Sequence, residues 1–321
     1  MTETHRAASA LAQNSLALWP LPDSARVQLI NISENHTYRV DVEDQPVAIL
    51  RLHRPGYQDR AAIQSEIAWM AALARDGTLS PPQPRAGHDG QFVQQIAREP
   101  ERFAVLFDAL PGDHPKEDGP LATHFETLGW MAARLHHHAK TWPRPPGFTR
   151  RRWDIDAVFG ANAIWGDWRA APGVTPDITG ILAQAEAQLR HRLAEFGQGA
   201  DRFGLIHADM RLANLLVDGR KTQLIDFDDC GFGWFLYDFA AAVSFIETRS
   251  DLTELKSAWL RGYGPLPAED VAEIGSFIML RRMALLAWIG SHIEAPEPQA
   301  LAPTFAADTA RLASRYLNGT L

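Results

Sequence analysis

Residues 207–229 read His-Ala-Asp-Met-Arg-Leu-Ala-Asn-Leu-Leu-Val-Asp-Gly-Arg-Lys-Thr-Gln-Leu-Ile-Asp-Phe-Asp-Asp. A His-x-Asp-x-x-x-x-Asn loop leads into an apolar run at 215–217, an Asp218-Gly219 turn pair, and a second run at 222–225 that ends on Asp226. Two short runs joined by such a pair predict a hairpin, which brings Asn214 at its entry beside Asp226 at its exit. Phosphoryl transfer from a nucleotide needs these parts: a carboxylate beside the attacking hydroxyl, and an amide with a second carboxylate to hold magnesium. Asp209 is therefore the expected hydroxyl-facing carboxylate. Asn214 and Asp226 are the expected metal ligands, hard oxygen donors that suit Mg2+ together with phosphate oxygens and water. In the competing reading Asp209 and Asn214 only satisfy backbone groups in a tight loop, which leaves the coincidence of apt residues unexplained. The expected cofactors are ATP and Mg2+.

Composition fits a soluble intracellular enzyme. With 321 residues and 46% hydrophobic content, the chain can bury two sizeable cores. A net charge of -8 argues against a nucleic-acid-binding surface. The single cysteine, Cys230, excludes an internal disulfide framework and favours the cytosol. The N-terminal stretch carries Glu3 and Arg6 and lacks the continuous apolar core of a secretory signal. Later apolar segments at 239–246 and 279–289 are too short, or too interrupted by Arg281 and Arg282, to span a membrane. The expectation is a cytoplasmic monomer or homodimer with a small hydroxyl-bearing substrate and no nucleic-acid or membrane partner.

By texture the chain divides in two. Short β-branched or alternating runs at 26–31, 37–42 and 46–52 predict strands, broken by Ser33-Glu34-Asn35 and Glu43-Asp44-Gln45. Asp59 is an N-cap candidate, and Ala62, Ile63, Ile67, Met70 and Leu73 follow a helical period until Gly77. Two more strands are expected at 92–96 and 103–107. Beyond 120 the pattern is helical, with candidates at 122–140, 175–196, 235–248, 252–262, 267–292 and 303–317. This predicts an α+β, two-lobed enzyme with a cleft between its lobes. The strand-rich N-terminal lobe, 1–107, would clamp the nucleotide. A connector at 108–115 would lead to a helical lobe, 116–321, carrying the catalytic loop and acceptor pocket.

These stretches resemble the aminoglycoside phosphotransferase-like branch of the protein-kinase-like fold, which includes type II homoserine kinases, choline kinases and a bacterial stress-response serine/threonine kinase. The resemblance runs from 26 to 317 and is sharpest at 207–214 and 224–227. Ile49-Leu50-Arg51-Leu52-His53-Arg54-Pro55 resembles the family's third strand, and Ser65-Glu66-Ile67-Ala68-Trp69 the helix after it. Trp234-Phe235-Leu236-Tyr237-Asp238-Phe239-Ala240 resembles the segment after the metal aspartate, where Asp238 is expected to support the catalytic loop through hydrogen bonds. The resemblance implies a small antiparallel sheet and places Arg51 where the family carries lysine. Arg51 would pair with Glu66 and hold the nucleotide's phosphates; its planar fork suits phosphate but is no neutral replacement for lysine. The alternative is a surface pair only. Residues 30–39 contain no glycine, so Ser33 and Asn35 are expected to donate hydrogen bonds in place of a glycine-rich loop. The backbone of Phe107 and Ala109 is expected to receive adenine.

Other residues carry paired readings. The metal aspartate lies in Asp-Phe-Asp, so Asp228 either binds metal through water or caps a turn. Arg211 either neutralises charge on the transferring phosphoryl group or forms a salt bridge with Asp209 or Asp228. His207 is expected to pack behind the loop. His136-His137-His138 points its rings in different directions on a helix, which favours packing and surface over metal binding. Arg150-Arg151-Arg152 reads as a solvated turn. Trp153, Trp165 and Trp168, near Asp154, Asp156 and Asp167, fall where the family builds its acceptor pocket; they suit an ammonium-bearing substrate or simple apolar packing. The expected activity is an ATP-dependent kinase of a small metabolite's hydroxyl, with an amino alcohol or hydroxy amino acid preferred and an aminoglycoside within range. A protein serine/threonine kinase and a non-catalytic nucleotide-binding scaffold are the alternatives.

Overall fold

The computed structural model describes residues 3–32 and 35–321; Ser33 lies outside the described residues. Contacts divide the chain into two units, Met1–Pro111 with Arg144–Thr149, and Gly112–Pro143 with Arg150–Leu321.

The first unit is a sheet covered by helices. Helix α1 (Glu3–Ser15) precedes β1 (Arg26–Ile32), β2 (Asn35–Val42) and β3 (Gln45–His53); α2 (Arg60–Arg75), β4 (Pro84–Arg85), β5 (Gln94–Arg98) and β6 (Glu101–Asp108) follow. The sheet order is β1-β2-β3-β6-β4, with β5 also paired to β6, and every pairing is antiparallel. Alternation along β3 separates two faces. Ala48, Leu50 and Leu52 join Ala12, Leu16, Trp19, Tyr38, Val40, Ala104 and Leu106 in one core. Arg51 therefore points to the opposite face, where Glu66 of α2 meets it. Asp59 caps α2 by accepting from Ala62 N at 2.7 Å. Helix α1 has no counterpart in the sequence expectations; its buried residues Ala8, Ala12 and Ser15 are small, and only Leu11, half-buried against the core, adds a large apolar side chain to that face. Gln13 clips it to the sheet, donating to Ala25 O at 2.9 Å and accepting from Val27 N at 3.0 Å.

The second unit is helical around two small sheets. In chain order it contains α3 (Ala122–Thr141), β7 (Arg152–Trp153), α4 (Ile155–Phe159), α5 (Pro176–Phe196), β8 (Phe203–Ile206), β9 (Leu215–Asp218), β10 (Lys221–Leu224), β11 (Gly231–Trp234), α6 (Tyr237–Ala242), α7 (Leu252–Tyr263), α8 (Ala268–Ala272), α9 (Ile274–Ser291) and α10 (Pro296–Leu317). Strands β9 and β10 form the expected hairpin, but Asp218 pairs with Lys221. The turn is thus Gly219-Arg220, one residue later than expected, with Gly219 at φ 58°. Strand β11 pairs with β8 antiparallel and β7 parallel.

Three helix expectations are corrected. The run at 235–248 is helical only as α6, and the chain turns at Phe245, whose φ of 71° is left-handed. The run at 267–292 breaks at Glu273 into α8 and α9. Helix α10 starts at Pro296, well before 303, because Pro296 and Pro298 fill a first turn that needs no N–H donors. Helix α9 is buried nearly all round. The span Ala268–Ser291 is long and apolar enough to cross a membrane by composition, yet 83% of its apolar window is buried inside the protein, as in a core helix.

Candidate active site

The loop at 207–214 begins where β8 ends, and a buried carboxylate holds it. Asp238 of α6 accepts from His207 N at 3.1 Å and from Ala208 N at 2.7 Å. Ala208 has φ 69°, a left-handed conformation that costs energy for a residue with a Cβ; the two bonds from Asp238 stabilise it. His136 Nε2 also donates to Asp238, at 2.9 Å, and its Nδ1 lies 2.9 Å from the Tyr263 hydroxyl. His136 is thus a brace for Asp238, while His137 is exposed and His138 stacks on Trp142. The His207 ring is fully buried, 4.5 Å from the Phe227 ring, and donates from Nε2 to Ile225 O at 3.1 Å. Burial pushes its pKa down despite the nearby carboxylates, so the ring is neutral and its Nδ1 accepts from Asp209 N at 3.3 Å.

Asp209 sits at the centre. Asn214 Nδ2 donates to its Oδ2 at 2.7 Å and to its carbonyl at 2.8 Å. Arg281 of α9 donates to its Oδ1 at 2.6 Å, and Arg211 Nε lies 3.4 Å from Oδ2. Burial opposes ionisation of Asp209, but Arg211 and Arg281, helped by Asn214, hold its carboxyl below the usual range. Arg211 also binds Glu297 at 2.9 Å; this is a salt bridge of the kind expected, with a further partner the sequence reading did not include.

The hairpin joins Asn214 to Asp226 through Ile225 N donating to Asn214 O at 2.9 Å. With both amide hydrogen bonds of Asn214 directed at Asp209, its Oδ1 is the atom left for a cation. Asp226 follows in a left-handed conformation, φ 60°, which turns the chain at the hairpin exit. One amide oxygen and one carboxylate fit magnesium, which takes few protein ligands and completes its octahedron with phosphate and water. Among the described residues no group of three or more His, Cys, Asp or Glu forms a metal cluster, and this donor set does not require one.

Arg150 corrects the solvated-turn expectation. It is 7% exposed, and its guanidinium donates to the carbonyls of Asp228 and Cys230. Trp153 Nε1 donates to Asp229 O at 2.7 Å, so the segment after Asp226 is held from two sides. The Trp153 and Trp165 rings lie 5.1 Å apart, and the Arg281 guanidinium is 5.4 Å from Trp165 and 5.8 Å from Tyr237. This brings Trp153 and Trp165 into the surroundings of Asp209. Trp168 belongs to a separate cluster, donating to Glu186 at 3.0 Å beneath Arg169. Asp154 and Asp167 act as caps, accepting from Ala157 N and Arg169 N.

In the first unit Arg51 and Glu66 pair at 2.7 Å with side chains 8% and 0% exposed, a buried pair rather than a surface one. The Arg51 guanidinium lies 5.0 Å from the Phe107 ring centre. Asn35 accepts from Arg54 N at 3.3 Å. The Asp108 N–H is committed to Gln83 O at 2.9 Å, and Ala109 is the first residue past β6.

Sequence reasoning missed Arg281, Tyr237 and Glu297 at this site. A signal for Arg281 existed: a charge inside a helix buried on every side needs a partner.

The chain belongs to the phosphotransferase enzyme family, whose model matches residues 27–274. It is an ATP-dependent phosphotransferase acting on the hydroxyl of a small molecule. It is similar to the solved microcompartment-associated aminopropanol kinase, with 42% identity, a TM-score of 0.89, and coverage of 97% of this chain and 98% of that one. The amicoumacin kinase of Bacillus subtilis (strain 168) is 24% identical over 275 residues, 81% of this chain and 78% of its own. A solved amicoumacin kinase in complex with AMP-PNP, Ca2+ and Ami shares the fold, with a TM-score of 0.77 at 22% identity over 99% of this chain and 97% of that one.

Proposed function

We propose that this enzyme transfers the γ-phosphoryl group of ATP to the hydroxyl of a short amino alcohol. The observation that carries the acceptor class is the 42% identity over 97% of the chain to an aminopropanol kinase. Asp209 orients the acceptor hydroxyl and takes its proton as the bond to phosphorus forms, a late transfer in a loose transition state. Asn214 Oδ1 and Asp226 hold Mg2+, which neutralises charge on the phosphate oxygens when bound. Arg51, buried against Glu66, binds the phosphates, and the backbone at Phe107 and Ala109 binds adenine. Arg211 meets charge on the transferring group by exchanging Glu297, its partner at 2.9 Å, for phosphate. Trp153 and Trp165 wall the acceptor; Trp165 Nε1 is buried without a hydrogen-bond partner, an orphaned donor that a bound acceptor can satisfy.

The test is ADP release by the purified enzyme across amino alcohols, hydroxy amino acids, sugars and aminoglycosides. Aminopropanol and its short homologues are expected to give the highest kcat/KM. A higher kcat/KM for a hydroxy amino acid or an aminoglycoside would overturn the acceptor class and leave the phosphotransfer chemistry standing.

A further inference from the structure

We propose that Arg281 is a positioning residue for phosphoryl transfer, fixing the orientation of the Asp209 carboxylate toward the acceptor hydroxyl. This rests on the assignment of Asp209 as the hydroxyl-facing carboxylate. Arg281 stands beyond the span 27–274 matched to the family model. It enters from the middle of α9, at 3% side-chain exposure, in a helix whose other buried residues are apolar apart from Ser276 and Arg282, and Arg282 pairs with Glu247 at 3.0 Å. A buried guanidinium is costly unless paired and hydrogen-bonded, and its pairing is directed at the reacting centre: Nη2 to Asp209 Oδ1 at 2.6 Å.

The guanidinium is itself held. Ser244 Oγ accepts from Nε at 3.2 Å, and the rings of Trp165 and Tyr237 flank it at 5.4 and 5.8 Å. Asp209 is consequently fixed at both oxygens, by Arg281 on Oδ1 and by Asn214 on Oδ2. A carboxylate has about four lone-pair sites, so lone pairs remain for the acceptor hydroxyl once these two bonds set the plane. Asn214 alone leaves rotation about the Cβ–Cγ bond less restrained, because its bond reaches only one oxygen. The helix core, through Arg281, supplies the second point.

Four single variants, Arg281→Lys, Arg281→Met, Ser244→Ala and Asp209→Asn, and the double variant of Arg281→Met with Asp209→Asn test this, each measured for kcat, KM of both substrates, Mg·ADP affinity and Tm. A misoriented catalytic group costs about 100-fold in rate, so Arg281→Met is expected to lose about that in kcat, with Mg·ADP affinity unchanged. Arg281→Lys keeps the charge and loses the planar fork, and is expected to recover only part of the rate. Ser244→Ala frees the guanidinium without removing it, and one hydrogen bond of this kind corresponds to about a 3- to 10-fold loss in kcat. This variant keeps the proposal testable if the Arg281 substitutions fail to fold. Arg281→Met in the Asp209→Asn background is expected to cost almost nothing further. Full activity in Asp209→Asn would overturn the site assignment itself. An inactive Asp209→Asn alongside Ser244→Ala and Arg281 variants at wild-type kcat would overturn only the positioning role, as would losses that add to that of Asp209→Asn.

Discussion

Asp209 accepts from one amide and one arginine, and a second arginine lies within ion-pair distance. Such a residue acts as an oriented carboxylate, held ionised, more than as a strong base. Asp209→Asn is therefore expected to lower kcat by about 10²- to 10⁴-fold, the range for a positioned acid–base group, while Mg·ATP binding stays near wild type by calorimetry. Asp226→Ala behaves differently. As a proposed metal ligand, its removal is expected to weaken Mg·ATP binding by about 10-fold or more as well as turnover, and calorimetry with and without magnesium separates the two. Equal nucleotide affinity in both variants would show that Asp226 is not a ligand.

The elements around the loop act as fixed mounts. Helix α6 presents Asp238 to the loop's N–H groups, and α3 presents His136 to Asp238. Helix α3 reaches this position by packing closely on α7 through two glycines. A Cβ on Gly262 would lie 1.9 Å from Glu126 O, and one on Gly129 2.0 Å from Trp259 O. Both contacts are to backbone, so the helices themselves would have to separate. Gly262→Ala is expected to cost about 3 kcal/mol, the upper part of the overpacking range, and to lower the Tm. Because Tyr263 and His136 sit at the same interface, the variant is also expected to lose activity at temperatures where it is still folded. Unchanged Tm and kcat would show that the two helices tolerate a wider spacing.

At the scale of the molecule, Arg51 and Glu66 belong to the first unit, and Asn214 and Asp226 to the second. Ligand binding to the folded state alone adds stability by mass action, about 2.7 kcal/mol when free ligand is 100 times its Kd. Thermal unfolding with saturating Mg·ATP is thus expected at higher temperature than without it, and EDTA is expected to remove most of the shift. A shift insensitive to EDTA would mean that the nucleotide binds without the metal pair. How much of this was legible follows from sequence separation. Residues 207–229 carry their own geometry: a loop, a turn glycine and a hairpin bring Asn214 to Asp226 by local chain reversal, so residue types and spacing were enough to predict it, and the texture of the whole chain predicted the α+β class. The Arg51–Glu66 pair was also readable, 15 residues apart on a strand and the next helix. Arg281 meets Asp209 across 72 residues and Arg150 meets Asp228 across 78; no local pattern encodes such contacts. Helix α1, whose buried residues are mostly small, gains its place from the sheet it covers. The sequence by itself determined the loop and hairpin of residues 207–229, because their parts are neighbours along the chain. Only the tertiary structure decided what holds Asp209 in place, because burying an arginine requires a partner and the folded core alone determines which carboxylate that is.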